Sequence, residues 1–136
     1  MTEPSLALQA LVRSRLIVSA ELVEWVPADH VLDKSDRPEV FPCILIGEGQ
    51  TLPGSLIDRS DFEAVLDLHL WTSEPGLAVA KRIAGEVRAA LVSGPWAIDG
   101  FHVADLRIAS TRFLRDPGPY GHGVITLSAL MKETVS

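Results

Sequence analysis

The chain has 136 residues, 47% of them apolar, with a formal net charge of −6 and one cysteine. That length closes one hydrophobic core and is too short for two ordinary ones, so a single domain over residues 1–136 is expected. The acidic balance excludes a protein that grips nucleic acid by its phosphates, Cys43 alone excludes an internal disulfide or a thiolate metal cluster, and no apolar run approaches the ~20 residues that span a bilayer.

Thr2-Glu3-Pro4 resembles a helix start, and Leu8, Leu11, Val12 and Arg15 recur on successive turns of a helix running to about Ser14. The start is neither basic nor followed by the apolar centre of a signal peptide, which points to a protein retained in the cytoplasm where it is made. A short second helix is expected around Ala20 to Glu24. From Pro27 to Pro42 the chain turns polar and becomes a surface connection. The segment closing on Cys43-Ile44-Leu45-Ile46 is a buried strand that Gly47 stops, with Cys43 an inert buried thiol.

Gly47 to Ser60 is the least regular stretch, with three glycines, a Pro53-Gly54 turn pair and exposed-looking Leu52, Leu56 and Ile57. A loop of that length is either a flexible hairpin tip or a segment that orders against a partner. For the second role the candidate contact residues are Gln50, Leu52, Leu56, Ile57 and Arg59.

From Phe62 to Trp71 the even positions Phe62, Ala64, Leu66, Leu68 and Leu70 are all apolar, which is the period of a strand with one buried face. Thr72 or Ser73 then offers an N-cap, and Leu77, Ala80, Ile83, Ala84, Val87 and Leu91 recur at helical spacing until Ser93-Gly94-Pro95 ends the helix. Asp99-Gly100 is a turn. Phe101 to Arg115 is a long strand whose imperfect alternation suggests a bulge. After a rigid Pro117-Gly118-Pro119 turn, Tyr120 to Lys132 is a half-buried strand with Ile125, Leu127, Ala129 and Met131 on the covered face. The fold class is α+β, a mainly antiparallel sheet of about four strands with helices packed on one face.

Chemistry finds little purchase. The four histidines, His30, His69, His102 and His122, include no pair at metal-ligand spacing, and neither a nucleophile elbow nor a phosphate-cradling glycine loop is present. Catalytic residues, metal ligands and cofactor-binding residues are therefore all assigned as none. Glu63 and Asp67 project from one strand face and suit a solvated surface better than an acid–base pair. His69 and Trp71 share that face, and a tryptophan pointing away from the helix needs cover. Either loops partly bury the sheet's second face or that face meets another subunit, and the enrichment of tryptophan in interface cores favours the second. Trp25 and Trp96 lie beside prolines at element ends and fit local packing.

Taken together, several phrases resemble the tail-completion or tail-terminator family of long-tailed phages and phage-like gene transfer agents: VPADHVLD, PCILIGEGQ, LHLWTSEPGL with its helix, and ADLRIASTRFLRDP followed by HGVITLSALMKE. The likeness runs from about Leu6 to Glu133, and its most specific pieces are Leu68-His69-Leu70-Trp71 and Arg112-Phe113-Leu114-Arg115-Asp116-Pro117. None is a catalytic motif. The resemblance implies a structural virion protein, not an enzyme, forming a ring, usually of six copies, at the head-proximal end of the tail. Such a ring stops polymerisation of the tail tube protein and joins a head-side stopper or connector. DNA passes its channel without specific binding, no membrane is involved, and assembly takes place in the bacterial cytoplasm.

Under that reading the lateral contacts between subunits fall to His69, Trp71, Arg112, Arg115 and Asp116, and the stretch from Gln50 to Arg59 reaches the tube. A head-completion or stopper adaptor of the same kind of particle is the nearest alternative. A small-molecule-binding or enzymatic α+β domain, with Glu63, Asp67 and His69 lining a pocket, is the remote one.

Overall fold

The structure is a computed structural model that describes residues 2–34, 37–54, 60–115 and 118–134. Helix α1 (Pro4–Ile17) begins where the Glu3 carboxylate accepts the amides of Ser5 and Leu6 at 2.8 and 3.3 Å, satisfying donors that the first turn leaves unpaired. Pro4 suits this first position because its missing N–H would have had no helical partner. The helix buries Leu8, Leu11, Val12 and Leu16 and extends past Ser14, since Leu16 still finds the core. Helix α2 (Ala20–Trp25) is capped by Ser19, whose hydroxyl accepts the Leu22 amide at 3.3 Å. A 3-10 turn at Ala28–His30 leads into β1 (Val31–Leu32), a two-residue strand inside the stretch expected to be plain connection.

The remaining elements are β2 (Cys43–Pro53), β3 (Asp61–Thr72), α3 (Ala78–Leu91), β4 (Ala97–Ile98), β5 (Phe101–Arg115) and β6 (Gly121–Glu133). They form one six-stranded sheet in the order β1-β2-β3-β6-β5-β4, antiparallel at every pairing except β1 with β2. The α+β class is as expected. The expected four strands are the four long ones, and the count rises to six because two-residue strands pair at either end with no periodic signal of their own.

Two local expectations are corrected and a third, the bulge in β5, is borne out. Gly47 does not stop β2: the strand passes a register break between Ile46 and Gly49 and continues pairing with β3 as far as Pro53. The reason is spatial, because a Cβ at position 47 would lie 2.6 Å from Cδ2 of the His69 ring. The glycine makes room for a neighbour and does not break the strand. Thr72 does not cap α3, since it is buried at the end of β3 opposite Gly121. The cap position is Leu77, which supplies no side-chain bond. The alternation within β5 does carry irregularities, two of them, between Val103 and Asp105 and between Ile108 and Ser110.

The even residues of β3, from Ala64 to Leu70, face the helices and form one cluster with Leu8, Val12 and Leu16 of α1, Ile83, Val87 and Leu91 of α3, and Ile125, Leu127, Ala129 and Met131 of β6. Each fully buried leucine, isoleucine or valine contributes roughly 1.5–3 kcal/mol to holding the two layers together. Arg15 stitches α1 to the end of α3. Its guanidinium donates to the carbonyls of Ala90 and Pro95, each at 3.0 Å, and of Ser93. The Trp96 indole donates to Leu91 at 2.7 Å, so the last carbonyls of α3, which have no helical partner, are taken by side chains. Among the described residues no helix is long and apolar enough to cross a membrane.

Candidate functional site

Strand alternation fixes what the other face of the sheet presents. Odd residues of β3 (Glu63, Val65, Asp67, His69, Trp71) line up with even residues of β6 (His122, Val124, Thr126, Ser128, Leu130), and these in turn with Leu114, Arg112, Ser110, Arg107 and Asp105 of β5. Cys43 and Leu45 of β2 stand opposite Trp71 and His69. Cys43, Leu45 and Val124 are buried yet lie outside the helix-packed core. Burial pushes the Cys43 thiol up to about 11, which keeps it protonated and unreactive.

At one end of this face three rings stack. The Trp71 indole lies on His122 with centroids 3.9 Å apart and planes within 9°, and His122 stacks in turn on His69 at 5.2 Å. His69 Nδ1 is 3.0 Å from His122 Nε2, so one nitrogen donates and the other accepts. His69 Nε2 faces the Glu48 carboxylate at 3.3 Å. Glu48 is held below the usual carboxylate range, first by its own backbone amide and then by its bond to His69. The histidines stand 53 positions apart in sequence. The register of β3 on β6 is what brings them together, a signal that no local spacing carries.

Along the middle of the face each carboxylate accepts a hydroxyl from the next strand: Thr126 donates to Asp67 at 2.7 Å and Ser128 to Glu63 at 2.8 Å. These bonds occupy the groups that a pocket would need as acid and base. Among the described residues no group of three or more His, Cys, Asp or Glu is placed to hold a metal ion. The arrangement is a polar surface with a rigid aromatic stack, suited to contact with another protein.

Of the residues singled out from sequence, His69, Trp71 and Arg112 come together here, with Arg112 and His69 on either side of Val124 in one cross-strand row. Arg115 is exposed at the end of β5, where alternation from Leu114 turns it toward the helix side. Gln50 and Leu52 belong to the extended arm of β2 and not to a loop, Gln50 exposed and Leu52 half-buried. Leu56, Ile57, Arg59 and Asp116 lie outside the described residues. The arm is tied to the start of α1, because Thr51 donates its hydroxyl to Glu3 at 2.5 Å. The hydroxyls of Ser5 and then Thr51 hold the Glu3 carboxyl below its usual range.

Among curated proteins nothing matches the sequence significantly. Solved structures that share the fold include two virion or phage proteins. One is a chain in the virion of a native gene transfer agent particle, 22% identical, with 92% of this chain and 94% of that chain covered and a TM-score of 0.78. The other is the gp17 protein of bacteriophage SPP1, 23% identical, with 98% and 94% covered and a TM-score of 0.63. The model for the tail completion protein gp17 family matches residues 10–132, nearly the whole sheet and all but the first turns of α1, and the chain belongs to that family as a structural component of a phage or phage-like tail.

Proposed function

We propose that the chain acts as one tail-terminator domain, several copies of which, six by the family resemblance, form a ring at the head-proximal end of the tail. The ring ends growth of the tail tube and offers its far side to a head-side connector. The observation that carries this reading is family membership across residues 10–132. The geometry is consistent with it, since the helices cover only one face of the sheet and leave the other, with Trp71 and Arg112, available to protein contacts. The β2 arm and the connection that follows it to Ser60 are the segment assigned to the tube. An acidic chain repels phosphate, so DNA moves past such a ring without being held.

The test is cryo-electron microscopy of tail ends from particles carrying the gene and from a deletion strain. The expected result is ring density between tube and head in the first sample, and overlong or headless tails in the second. Tails of normal length that still join heads in the deletion strain would refute the reading. Density on the portal side with normal tube length would reassign the chain to a stopper.

A further inference from the structure

Both margins of the sheet are only partly closed. Strand β4 pairs with β5 at Phe101 and His102 alone, and β1 pairs with β2 at Ile44 and Leu45 alone. Among the described residues, β5 from Val103 to Arg115 and β2 from Ile46 to Pro53 therefore have no strand on their outer side. Nearly every residue of β5 from Ala104 onward is exposed, with only Leu106 buried and Ile108 and Phe113 intermediate; Glu48, Gly49 and Gln50 are exposed on β2. Free backbone edges of this length pair with another strand unless something prevents it.

We propose that copies of this chain join edge to edge, the open stretch of β5 in one copy pairing with the open stretch of β2 in the next, with Arg112 set against Glu48. This rests on the ring reading above and names the contact that would build the ring. Three observations lead to it. First, the four long strands alternate in direction from β2 to β5, so a second copy in the same orientation presents its β2 antiparallel to β5, and the sheet continues without turning the subunit over.

Second, the charges match across unlike edges and clash across like ones. The open part of β5 carries Arg107, Arg112 and Arg115 against one acid, Asp105, whereas Glu48 is the sole charge of β2. Two β5 edges would set arginine against arginine, which disfavours a two-fold dimer through that edge and favours a head-to-tail join. Third, Glu48 to Pro53 on β2 and Arg107 to Arg112 on β5 are alike in reach, and pairing them antiparallel sets Gln50 opposite Ser110 and Glu48 opposite Arg112. The breaks and arginines discourage indiscriminate pairing, and Pro53, with no N–H, ends the β2 edge.

The experiment uses the full chain within assembled particles. A Gln50→Cys/Ser110→Cys double variant is treated with a short bis-maleimide, beside each single variant and the unaltered protein, in which buried Cys43 stays unlabelled. The double variant should give a ladder of dimer, trimer and higher adducts, and each single variant only monomer. Dimers from Ser110→Cys alone would overturn the proposal in favour of a two-fold contact. Amine cross-linking of the unaltered protein separates this inference from the reading beneath it. If the amine reagent gives a ladder and the thiol pair gives monomer, the edge contact is wrong and the ring stands; if the amine reagent too gives only monomer, both fall.

An Arg112→Glu variant should lower ladder yield about fivefold, as expected for losing one exposed ion pair and setting two acids together. Adding Glu48→Arg should restore most of it. Unchanged yield in the first variant, or no recovery in the second, would overturn the pairing of these charges.

Discussion

Replacing Arg15 with alanine tests the claim that one side chain welds the two main helices together. The guanidinium holds three carbonyls at and beyond the end of α3, those of Ala90 and Pro95 at 3.0 Å and that of Ser93. A hydrogen bond to a charged donor contributes about 1.5–3 kcal/mol when sheltered, but only the Ala90 bond is partly buried and water replaces the other two at small cost, so the expected loss is about 2 kcal/mol. With an unfolding entropy of roughly 2.1 cal/mol/K per residue, that loss lowers the melting temperature by about 7 °C. Arg15→Lys keeps the charge yet reaches fewer carbonyls, and about half the stability should return. Urea unfolding followed by far-UV circular dichroism reads both variants, and an unchanged slope would show that the effect lies in the native state. An alanine variant within ~0.5 kcal/mol of the parent, or a lysine variant no better than alanine, would refute the reasoning.

Gly47→Ala should cost roughly 1–3 kcal/mol by driving a methyl into the His69 ring, and the 3.0 Å contact between His69 and His122 should disappear from imidazole nitrogen spectra; a neutral variant with those signals intact would count against the close approach. Cys43, whose thiol is raised from 9.0 to about 11, holds its proton in the folded state at pH values where the unfolded chain releases it, so stability should fall as pH rises from 9 toward 11. Cys43→Ala should remove that part of the slope in denaturant titrations, and an equal slope in both proteins would be the contrary result. Glu3→Ala removes a cap and the link to Thr51, for an expected loss of about 1 kcal/mol with hydrogen exchange accelerated in the first turn of α1; unchanged exchange there would disprove the capping role. Because the Glu3 carboxyl is depressed, the same stabilisation should vanish in the parent as pH falls through its lowered value.

How far the sequence reveals this molecule depends on whether the deciding interaction is local. The alternation of β3, the helical spacing of α3 and the buried row of β6 are periodic over many residues, and they appear in the structure within a residue or two of their expected limits, except where Leu77 starts the helix without a cap. Strands β1 and β4 are too short to have a period. Gly47 looked like a terminus because glycine usually is one, and its real cause, the ring of His69, comes from the next strand. The stack of Trp71, His122 and His69 is invisible for the same reason, since register across distant segments composes it. Sequence did single out His69 and Trp71, because an outward tryptophan on an otherwise alternating strand is anomalous without a neighbour, whereas Arg112 entered only through the family-like phrase that begins with it.

Strands β3 and β6 pair through twelve successive positions from Asp61↔Lys132 to Thr72↔Gly121 without a break, while every register shift in the sheet falls on β2 or β5. The middle of the sheet thus behaves as a keel and its flanks as trimmable planks. Residues can be gained, lost or exchanged in the flanks, changing local twist and the direction in which a margin points, while the keel keeps the helices seated. Under that division of labour a small tail protein can reshape its margins while retaining its core, and drift in sequence would concentrate in the flanking strands.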